Sequence, residues 1–371
     1  MLLTCPECKV TVKWTPSAWR CDCGAPWGFD QVHPFAAAST EPRRQGLWRY
    51  ESLLQLPQAS RPVTMGEGWT PLVRDEFAGL TVHWKLEYLN PTSSYKDRGI
   101  APLMTALSSC GVTSVVEDSS GNAGASVAAY AARAGIQATI FVPTHASPAK
   151  RAQIGIYGAR VVPVTGSRIE ATRAAEAALG AGVAYASHVW QAPVMAGLQT
   201  LAWEVWEQMG QRVPDWLVLP VGQGTLLLGV YLGFRALEEA GLSDRSPRLV
   251  AVQAARCDPL YAAWVKGTEH VQAARSEGTV AEGIRIVQPV RGQQVLGAIR
   301  QSAGAVLIVG EDEILAAQSS LARRGLYIEP TSAAAVAALA QLSGQVSADH
   351  SVVVPLTGSG LKGAPTDHVL E

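Results

Sequence analysis

Residues 112–135 read VTSVVEDSSGNAGASVAAYAARAG, and this stretch decides the fold class. An apolar run rich in β-branched residues ends at Glu117 and is followed by small polar residues and glycine. The alanine-rich residues 122–134 predict a helix that ends at Gly135, because glycine readily adopts the left-handed conformation found after a helix. A strand, a polar turn and a helix in this order are typical of a βαβ unit, which forms a parallel sheet.

The same alternation of β-branched runs and helical stretches continues along the chain from residue 81. A helix is predicted at residues 226–240, and strands are predicted at residues 112–117, 138–142, 159–164, 183–187, 217–221, 249–253, 305–309 and 351–355. Doubly wound sheets bind their ligands at the carboxyl ends of the strands. We therefore expect the chemistry in the loops that follow these strands.

The amino-acid composition limits the functions that we expect of a protein with this fold. The chain has 371 residues, of which 48% are hydrophobic and 16% are charged, so it buries a large core and divides into two or more domains. Its 30 basic and 31 acidic residues create no net field that attracts nucleic acid or a membrane. The first residues lack a signal-peptide pattern and no stretch predicts a membrane span, so we expect a cytoplasmic protein acting on small molecules.

The loop of Ser119, Ser120, Gly121 and Asn122 lies directly between a predicted strand and a predicted helix. Small hydroxyl residues and glycine leave backbone N–H groups open at the helix N-terminus, which suits a carboxylate or another anion. An ordinary N-cap is the alternative, because serine and asparagine are favoured there for capping alone.

A second loop follows the strand predicted at residues 217–221, and it consists of Gly222, Gln223, Gly224, Thr225 and Leu226. Such a turn binds phosphate through bare backbone amides and the helix dipole. It lacks both the dinucleotide spacing G-x-G-x-x-G and the Gly-Lys-Ser/Thr of a nucleotide P-loop. The alternative is a tight turn that needs glycine only for its backbone angles.

Residues 90–99 read Asn-Pro-Thr-Ser-Ser-Tyr-Lys-Asp-Arg-Gly and place Lys96 after an aromatic residue and small hydroxyl residues. Nucleophilic lysines work with aldehyde cofactors, and burial and neighbouring groups tune their amines. A Lys-Asp-Arg triplet that opens a helix is otherwise a solvated first turn.

Taken together, these motifs resemble the threonine synthase family of fold-type II pyridoxal-phosphate enzymes, which are similar to the tryptophan synthase β-subunit. The resemblance covers roughly residues 47–363 and implies two doubly wound α/β domains. It implies that Lys96 carries pyridoxal 5'-phosphate, that Asn122 bonds the ring hydroxyl, that residues 222–226 hold the phosphate and that Thr357 faces the ring nitrogen. The residues it assigns to an amino-acid substrate are Ser94, Ser119, Ser120, Gly121 and Asn122. Lys150, whose sequence context resembles the family, is a candidate donor to a phosphate leaving group of the substrate, and the alternative is a solvated charge on a helix.

The reaction implied by the resemblance converts O-phospho-L-homoserine and water to L-threonine and phosphate, in an enzyme that is commonly a homodimer. Departures from the family pattern at Ser93 and Ser359 and in the 222–226 loop leave open a threonine or serine dehydratase or a β-replacing synthase. Residues 281–284 also resemble the dehydratases. A third hypothesis is a zinc-ribbon interaction module on an inactive scaffold, and the presence of Lys96 argues against it.

Four of the six cysteines lie within the first 23 residues, in a C-x2-C and a C-x-C pair. Cys5, Cys8, Cys21 and Cys23 supply four soft ligands, which is how a tetrahedral structural zinc is held. The alternative is a set of reduced, inert thiols.

We expect a zinc-ribbon module at residues 1–30, a large cofactor-binding domain at residues 31–85 and 190–371, and a smaller domain at residues 86–189.

Overall fold

The computed structural model divides the chain into two compact units. Unit 1 comprises Met1–Trp69 and Asn90–Thr200, and unit 2 comprises Thr70–Leu89 and Leu201–Glu371. The structure describes residues 1–29, 31–57, 61–144, 148–347 and 349–363, and within α3 it describes no side chains for residues 148–150.

The strands and helices are numbered in chain order. The strands are β1 (Leu2–Thr4), β2 (Thr11–Lys13), β3 (Gly28–Phe29), β4 (Leu72–Phe77), β5 (Leu80–Lys85), β6 (Ser114–Glu117), β7 (Gln137–Pro143), β8 (Arg160–Val164), β9 (Val183–Tyr185), β10 (Trp216–Pro220), β11 (Arg248–Ala254), β12 (Ala305–Val309) and β13 (Val352–Pro355). The helices are α1 (Lys96–Ser109), α2 (Asn122–Ala134), α3 (Pro148–Gly155), α4 (Arg168–Ala177), α5 (Ala192–Gln208), α6 (Thr225–Glu239), α7 (Pro259–Val265), α8 (Gly292–Gln301), α9 (Glu311–Ala322), α10 (Pro330–Ala337) and α11 (Leu339–Leu342).

Unit 1 contains two sheets. The first is a small antiparallel sheet in the order β2-β1-β3, and with its four cysteines it forms a segment, residues 1–29, that we name the cysteine module. The second is a parallel sheet in the order β8-β7-β6-β9. Gly135 ends α2 with a φ of 69°, as the sequence predicts.

Unit 2 is built on a six-stranded sheet in the order β12-β11-β10-β13-β5-β4. All neighbouring strands are parallel except β4, which pairs antiparallel with β5 at the edge. Every residue of β10 and β13 is buried, which is typical of strands in a parallel sheet covered on both faces. The two-fold division into parallel α/β sheets confirms the predicted fold class.

The observed division differs from the sequence-based one in three segments. Residues 190–200, predicted in the large domain, lie in unit 1, and residues 86–89, predicted in the smaller domain, lie in unit 2. Residues 31–69 are predicted in the large domain with residues 190–371 but lie in unit 1. Glu67 explains this last difference, because its buried carboxylate accepts hydrogen bonds from Trp48 at 2.5 Å and Tyr130 at 2.7 Å, both in unit 1.

Across the described ranges, the helices are all too short or too polar to cross a bilayer.

Candidate active site

The loop before Lys96 is held in shape by the residue that follows the lysine. Lys96 is the first residue of α1, and Asp97 is fully buried. The Asp97 carboxylate accepts hydrogen bonds from the backbone N–H and hydroxyl of Thr92 at 2.7 and 2.5 Å. It also accepts one from the Ser126 hydroxyl on α2 at 2.6 Å. Because these donors converge on one carboxylate, Asp97 fixes the loop and joins the start of α1 to α2.

Lys96 itself is half-buried, and in the described part of the chain it has no carboxylate partner. Its Nζ lies 4.6 Å from the centroid of the Tyr95 ring, whose π face stabilises a cation. Two residues earlier, the Ser94 hydroxyl is fully buried and has no hydrogen-bond partner. A buried hydroxyl without a partner costs free energy, so this oxygen indicates a binding site for a polar ligand.

A tight turn precedes Ser94. Ser93 has a φ of 61°, a left-handed conformation that glycine adopts at less cost. Its N–H donates to the Asn90 carbonyl at 2.7 Å, and the Asn90 side-chain oxygen accepts from the Gly68 N–H at 2.9 Å. Gly68, in the segment that leads into the lysine loop, is therefore hydrogen-bonded to Asn90, the first residue of that loop.

The 119–122 loop connects β6 to α2. Gly121 precedes the first helical residue, and no side chain caps the helix, so the ordinary capping interpretation of these residues is wrong. Ser119 instead accepts a hydrogen bond from the Gly121 N–H at 3.3 Å. Gly124 packs so closely that a Cβ there would lie 1.9 Å from the Ser119 carbonyl oxygen. The first N–H groups of α2 are thus not used by a capping side chain, which suits an anionic ligand.

A buried carboxyl–imidazole pair lies at the end of β6. The Nδ1 of His188 lies 2.8 Å from Oε1 of Glu117, and the second oxygen of Glu117 has no hydrogen-bond partner. Burial, and then the charge of Asp118, raise the pKa of Glu117 well above its usual range, although Arg168 and Lys96 oppose them. Burial, followed by Lys96 and Arg168, lowers the pKa of His188 well below its usual range. Burial therefore favours the neutral form of both groups.

The 222–226 loop of unit 2 connects β10 to α6. Gly224 has a φ of 87°, and a Cβ at that position would lie 2.1 Å from a methyl carbon of Val295. The glycine is therefore required both by the backbone conformation and by close packing. No side chain caps α6, and the Gln223 side chain accepts from the Val290 N–H at 3.0 Å, away from the helix N-terminus. Bare backbone amides remain to bind an anion.

Thr357 follows β13, the neighbour of β10 in the sheet. Its buried hydroxyl lies 2.8 Å from the hydroxyl of Ser332 on α10, and Ser332 also accepts from the Gly358 N–H at 2.9 Å. Because β10 and β13 are adjacent and parallel, Thr357 and the 222–226 loop lie at the same edge of the sheet.

The four cysteines of the cysteine module converge. Their Sγ atoms all lie within 4.8 Å of one another. Burial opposes ionisation of Cys5, but backbone N–H groups of Cys8 and Glu7 outweigh it and lower its pKa to about 7. A backbone N–H favours the Cys21 thiolate, but burial and the neighbouring sulfurs raise its pKa to about 12. Four crowded sulfurs that resist ionising together are what a divalent cation would stabilise.

The structure brings the predicted residues together in two groups. In unit 1, the bond between Asp97 and Ser126 joins the Lys96 loop to the helix that follows residues 119–122. In unit 2, the 222–226 loop and Thr357 share a sheet edge. Lys150 lies in α3, and its side chain falls outside the description.

Some partners in these groups were not predicted from the sequence. The sequence indicates Asp97 only as part of the lysine motif, and it predicts no role for Glu117, His188 or Ser332. A threonine five residues before an aspartate is the one local signal for the Asp97 contact. The Glu117–His188 pair joins residues of two different strand ends, so no local spacing indicates it.

Comparisons with known proteins point to pyridoxal-phosphate dependent enzymes and to threonine synthases. The family described as pyridoxal-phosphate dependent enzyme matches residues 63–358. The threonine synthase of Methanocaldococcus jannaschii is 31% identical, over 98% of this chain and 93% of that protein. The threonine synthase of Mycobacterium bovis is 35% identical, over 85% of this chain and 88% of that protein.

Among solved structures, the T.th. threonine deaminase is similar with a TM-score of 0.68 and 25% identity, covering 80% of this chain and 94% of that chain. The processed threonine deaminase isoform 2 of Solanum lycopersicum has a TM-score of 0.71 at 22% identity, covering 89% of this chain and 93% of that chain. At that identity, the second likeness supports the fold alone.

Proposed function

Because this chain belongs to the threonine synthase family of pyridoxal-phosphate dependent enzymes, we propose that it converts O-phospho-L-homoserine and water to L-threonine and phosphate. The observation that carries the proposal is the setting of Lys96. It is a half-buried amine with no carboxylate partner among the described residues, on a loop that Asp97 holds rigid. Such an amine is available to bond an aldehyde and to move protons.

The residues present fit pyridoxal 5'-phosphate. The unpartnered Ser94 hydroxyl needs a polar ligand near Lys96, and the uncapped N-terminus of α6 with the close-packed Gly224 suits a phosphate. When bound, the cofactor acts as an electron sink that makes hydrogens on the substrate's carbon chain acidic.

In this proposal, each group of residues has one task. Lys96 would hold the cofactor and, as an amine, would move protons to and from the substrate. The 119–122 loop binds the substrate carboxylate at the N-terminus of α2, with Ser94 beside the lysine, and Asn122 bonds the ring hydroxyl. Residues 222–226 bind the cofactor phosphate.

Thr357 would offer a neutral hydroxyl to the ring nitrogen of the bound cofactor. The Ser332 hydroxyl supports it at 2.8 Å. A hydroxyl partner leaves this nitrogen largely unprotonated, whereas a carboxylate would hold a proton there.

The leaving phosphate of the substrate needs donors of its own, and we assign this task to Lys150. The lysine lies in α3, which follows β7 in the parallel sheet that contains β6. A lysine ammonium gives charge-assisted hydrogen bonds to a phosphate. Loss of such a contact lowers kcat/KM by on the order of a hundredfold.

One assay panel tests these assignments. The holoenzyme is offered O-phosphohomoserine, O-phosphoserine, serine and threonine, while phosphate, ammonia, oxo acid and threonine are measured. We expect threonine and phosphate from O-phosphohomoserine, and a loss on the order of a hundredfold for Lys150→Ala. Lys266→Ala, which alters an exposed lysine after α7, is the matched control and should behave as wild type.

Covalent attachment is tested separately. Borohydride treatment followed by peptide mapping should place the pyridoxyl group on Lys96, and Lys96→Ala should bind the cofactor without attachment. A pyridoxyl group on another lysine, or none at all, contradicts the assignment of Lys96.

A threonine or serine dehydratase is the second candidate, favoured by the likeness to the T.th. threonine deaminase at 25% identity. Residues 281–284 add to it, because their sequence also resembles that of the dehydratases. Ammonia and oxo acid from threonine or serine, with no turnover of O-phosphohomoserine, would establish this alternative.

We also propose that Cys5, Cys8, Cys21 and Cys23 hold a structural zinc, and that the enzyme is a cytoplasmic homodimer. The cluster of four sulfurs supports the zinc, since no carboxylate or histidine joins it among the described residues to leave an open catalytic position. Light scattering of the purified holoenzyme tests the dimer.

A further inference from the structure

The cysteine module packs on unit 1 through an aromatic cluster. The Trp19 ring meets Tyr185 edge-on with centroids 5.1 Å apart, and it meets Trp190 in the same way at 5.6 Å. The Arg20 guanidinium lies 4.5 Å from the Trp19 centroid and 3.7 Å from the Glu176 carboxylate on α4. Edge-to-face aromatic pairs prefer specific geometries, so Trp19 restrains the position of the Tyr185 ring.

A buried glutamine adds hydrogen bonds to this contact. The side-chain oxygen of Gln191 accepts from the Trp14 indole N–H at 3.0 Å. Its side-chain nitrogen donates to the Tyr185 carbonyl at 2.8 Å and to the Pro16 carbonyl at 3.3 Å. Gln191 is fully buried, so losing the module would leave its polar atoms without these partners.

Tyr185 reaches from this contact to the residue before the 119–122 loop. Its hydroxyl donates to one oxygen of Asp118 at 3.0 Å, and the Thr172 hydroxyl on α4 donates to the other. Burial, and then the charges of Asp118 and Glu117, raise the pKa of Tyr185 well above its usual range, so the phenol remains a donor. Asp118 is buried and directly precedes Ser119, so its two hydrogen bonds set where the loop begins.

The segment that carries Trp19 depends on the cysteine cluster. Trp19 and Arg20 directly precede Cys21, whose sulfur lies 3.5 Å from that of Cys8. Besides the cysteines, the buried hydrophobic side chains in the described part of the module are Leu3, Trp14 and Trp27. So small a core does not hold a module in shape by itself, whereas a metal bound by four thiolates does.

We propose that Tyr185 and Asp118 are positioning residues for the 119–122 loop, and that the cysteine module, when it holds a metal, keeps Tyr185 in place through Trp19 and Gln191. The metal then increases the affinity of the loop for a substrate carboxylate. The inference rests on the proposed carboxylate-binding role of the loop, and it is independent of which group leaves the substrate.

The test measures what the carboxylate contributes to binding. L-2-Aminobutyrate carries the amine and carboxylate of a substrate but no leaving group, and L-2-aminobutyramide lacks the carboxylate. Calorimetric titration of the holoenzyme with both ligands yields the ratio of the two dissociation constants, amide over carboxylate, which we call the carboxylate preference. A merely structural defect weakens the binding of both ligands, whereas a misplaced loop weakens only the binding of the ligand that carries the carboxylate.

We expect Tyr185→Phe to lower the carboxylate preference by about tenfold, because it removes one hydrogen bond to a charged group and keeps the ring that packs on Trp19. Wild type stripped of metal by a chelator should lose the same preference, with the loss of metal verified by elemental analysis. Chelation should add little in Tyr185→Phe, since both changes act on one path. Trp19→Ala should resemble the stripped protein, and Trp19→Phe should recover part of the preference.

Tyr231→Phe is the matched control, because that hydroxyl bonds Gln301 in unit 2, and its carboxylate preference should equal that of wild type. A stripped wild type, or a Tyr185→Phe variant, with an unchanged preference overturns the inference. Equal weakening of both ligands overturns it as well. A wild type that binds neither ligand contradicts the proposed function itself.

Discussion

The carboxyl group of Glu117, which lies 2.8 Å from Nδ1 of His188, has a pKa that the fold raises. Burial raises this pKa well above its usual range and the charge of Asp118 adds to the effect, whereas Arg168 on α4 and Lys96 on α1 oppose it. Glutamine has nearly the same shape and can still donate to the Nδ1 of His188, so Glu117→Gln isolates the effect of ionisation.

We expect the free energy of unfolding of wild type to fall, relative to Glu117→Gln, as the pH rises from about 4.5. The raised pKa means that the unfolded chain loses this proton first, so the stability present at lower pH is lost as the pH rises toward the folded-state pKa. The slope is at most about 1.4 kcal/mol per pH unit. Denaturant titrations of both proteins between pH 4 and pH 8 measure it, and parallel curves would contradict the raised pKa.

Lys85 is a fully buried lysine, and its contacts are structural. Its Nζ lies 2.9 Å from the Glu204 carboxylate, and it also donates to the Thr70 carbonyl and to Gln208. Both members of the ion pair are fully buried. We expect Lys85→Met to destabilise the protein by about 3–5 kcal/mol, because it removes the cation beside a buried carboxylate.

The double variant with Lys85→Met and Glu204→Leu should recover most of this loss, since it removes both charges. Chemical denaturation with the cofactor bound measures each value. A single variant as stable as wild type would mean that Glu204 does not need this cation.

At the level of single residues, the sequence predicts side chains whose neighbours are close in the chain. Lys96 stands out through the residues on either side of it. The reason that its loop is rigid lies in Ser126, 29 positions after Asp97, and the sequence shows no pattern that connects them. Contacts that depend on which helices pack together are not readable from spacing alone.

At the level of elements, the sequence predicts the eight strands from β6 to β13 and the helices α2 and α6, because their apolar or alanine-rich runs are continuous, but it does not predict β5 or the bounds of the other described helices. β12 and α2 have the predicted bounds, and β10 begins and ends one residue early. The strand β4 was not predicted, since its residues are mostly exposed at the sheet edge and include Arg74, Asp75 and Glu76. Such an edge strand resembles a polar loop in sequence.

Asp215 joins the beginnings of three parallel strands. Its carboxylate accepts from the N–H and hydroxyl of Ser351 at 2.8 and 3.0 Å, and from Arg245 at 2.6 Å. Its carbonyl accepts from the N–H of Arg248 at 3.0 Å. Burial alone would raise the pKa of Asp215, but the hydrogen bonds from Ser351 and Arg245 lower it below its usual value.

We expect Asp215→Asn to reduce the free energy of unfolding by about 1–2 kcal/mol at pH 7. A lowered pKa stabilises the fold above the ordinary pKa and ceases to do so as the pH falls through the folded-state value. The difference between variant and wild type should therefore shrink below about pH 4. Thermal unfolding between pH 3 and pH 7 measures it, and a difference independent of pH would assign the effect to shape rather than charge.

At the level of the whole molecule, the chain crosses between the two units at residues 69, 89 and 200. The sequence predicted two α/β domains and a cysteine module, but it did not predict that residues 31–69 belong with unit 1. Those residues lack a sustained period, and their place is set by the buried carboxylate of Glu67. A segment that lacks a hydrophobic core of its own is positioned by its contacts with other parts of the chain.

We expect a chelator to unfold the cysteine module while the α/β part of unit 1 and all of unit 2 remain folded. The module has few buried apolar side chains, whereas the units have extensive cores of their own. Limited proteolysis after metal removal should cut within residues 1–29, and the bound cofactor should keep its absorbance. Zinc analysis of protein prepared without chelators is the control, and protein without zinc would contradict the metal assignment.

The pairing of β5 with β13 has a consequence for the way the polypeptide is made. The register aligns Val82 with Val352, so the hairpin of β4 and β5 leaves the ribosome long before its neighbour in the sheet exists. Until translation reaches Pro355, Val82 and Trp84 belong to a strand with one open edge. The codons for β13 therefore complete the six-stranded sheet, and a chain that stops short of them presents an unpaired strand edge that chaperones and proteases can recognise.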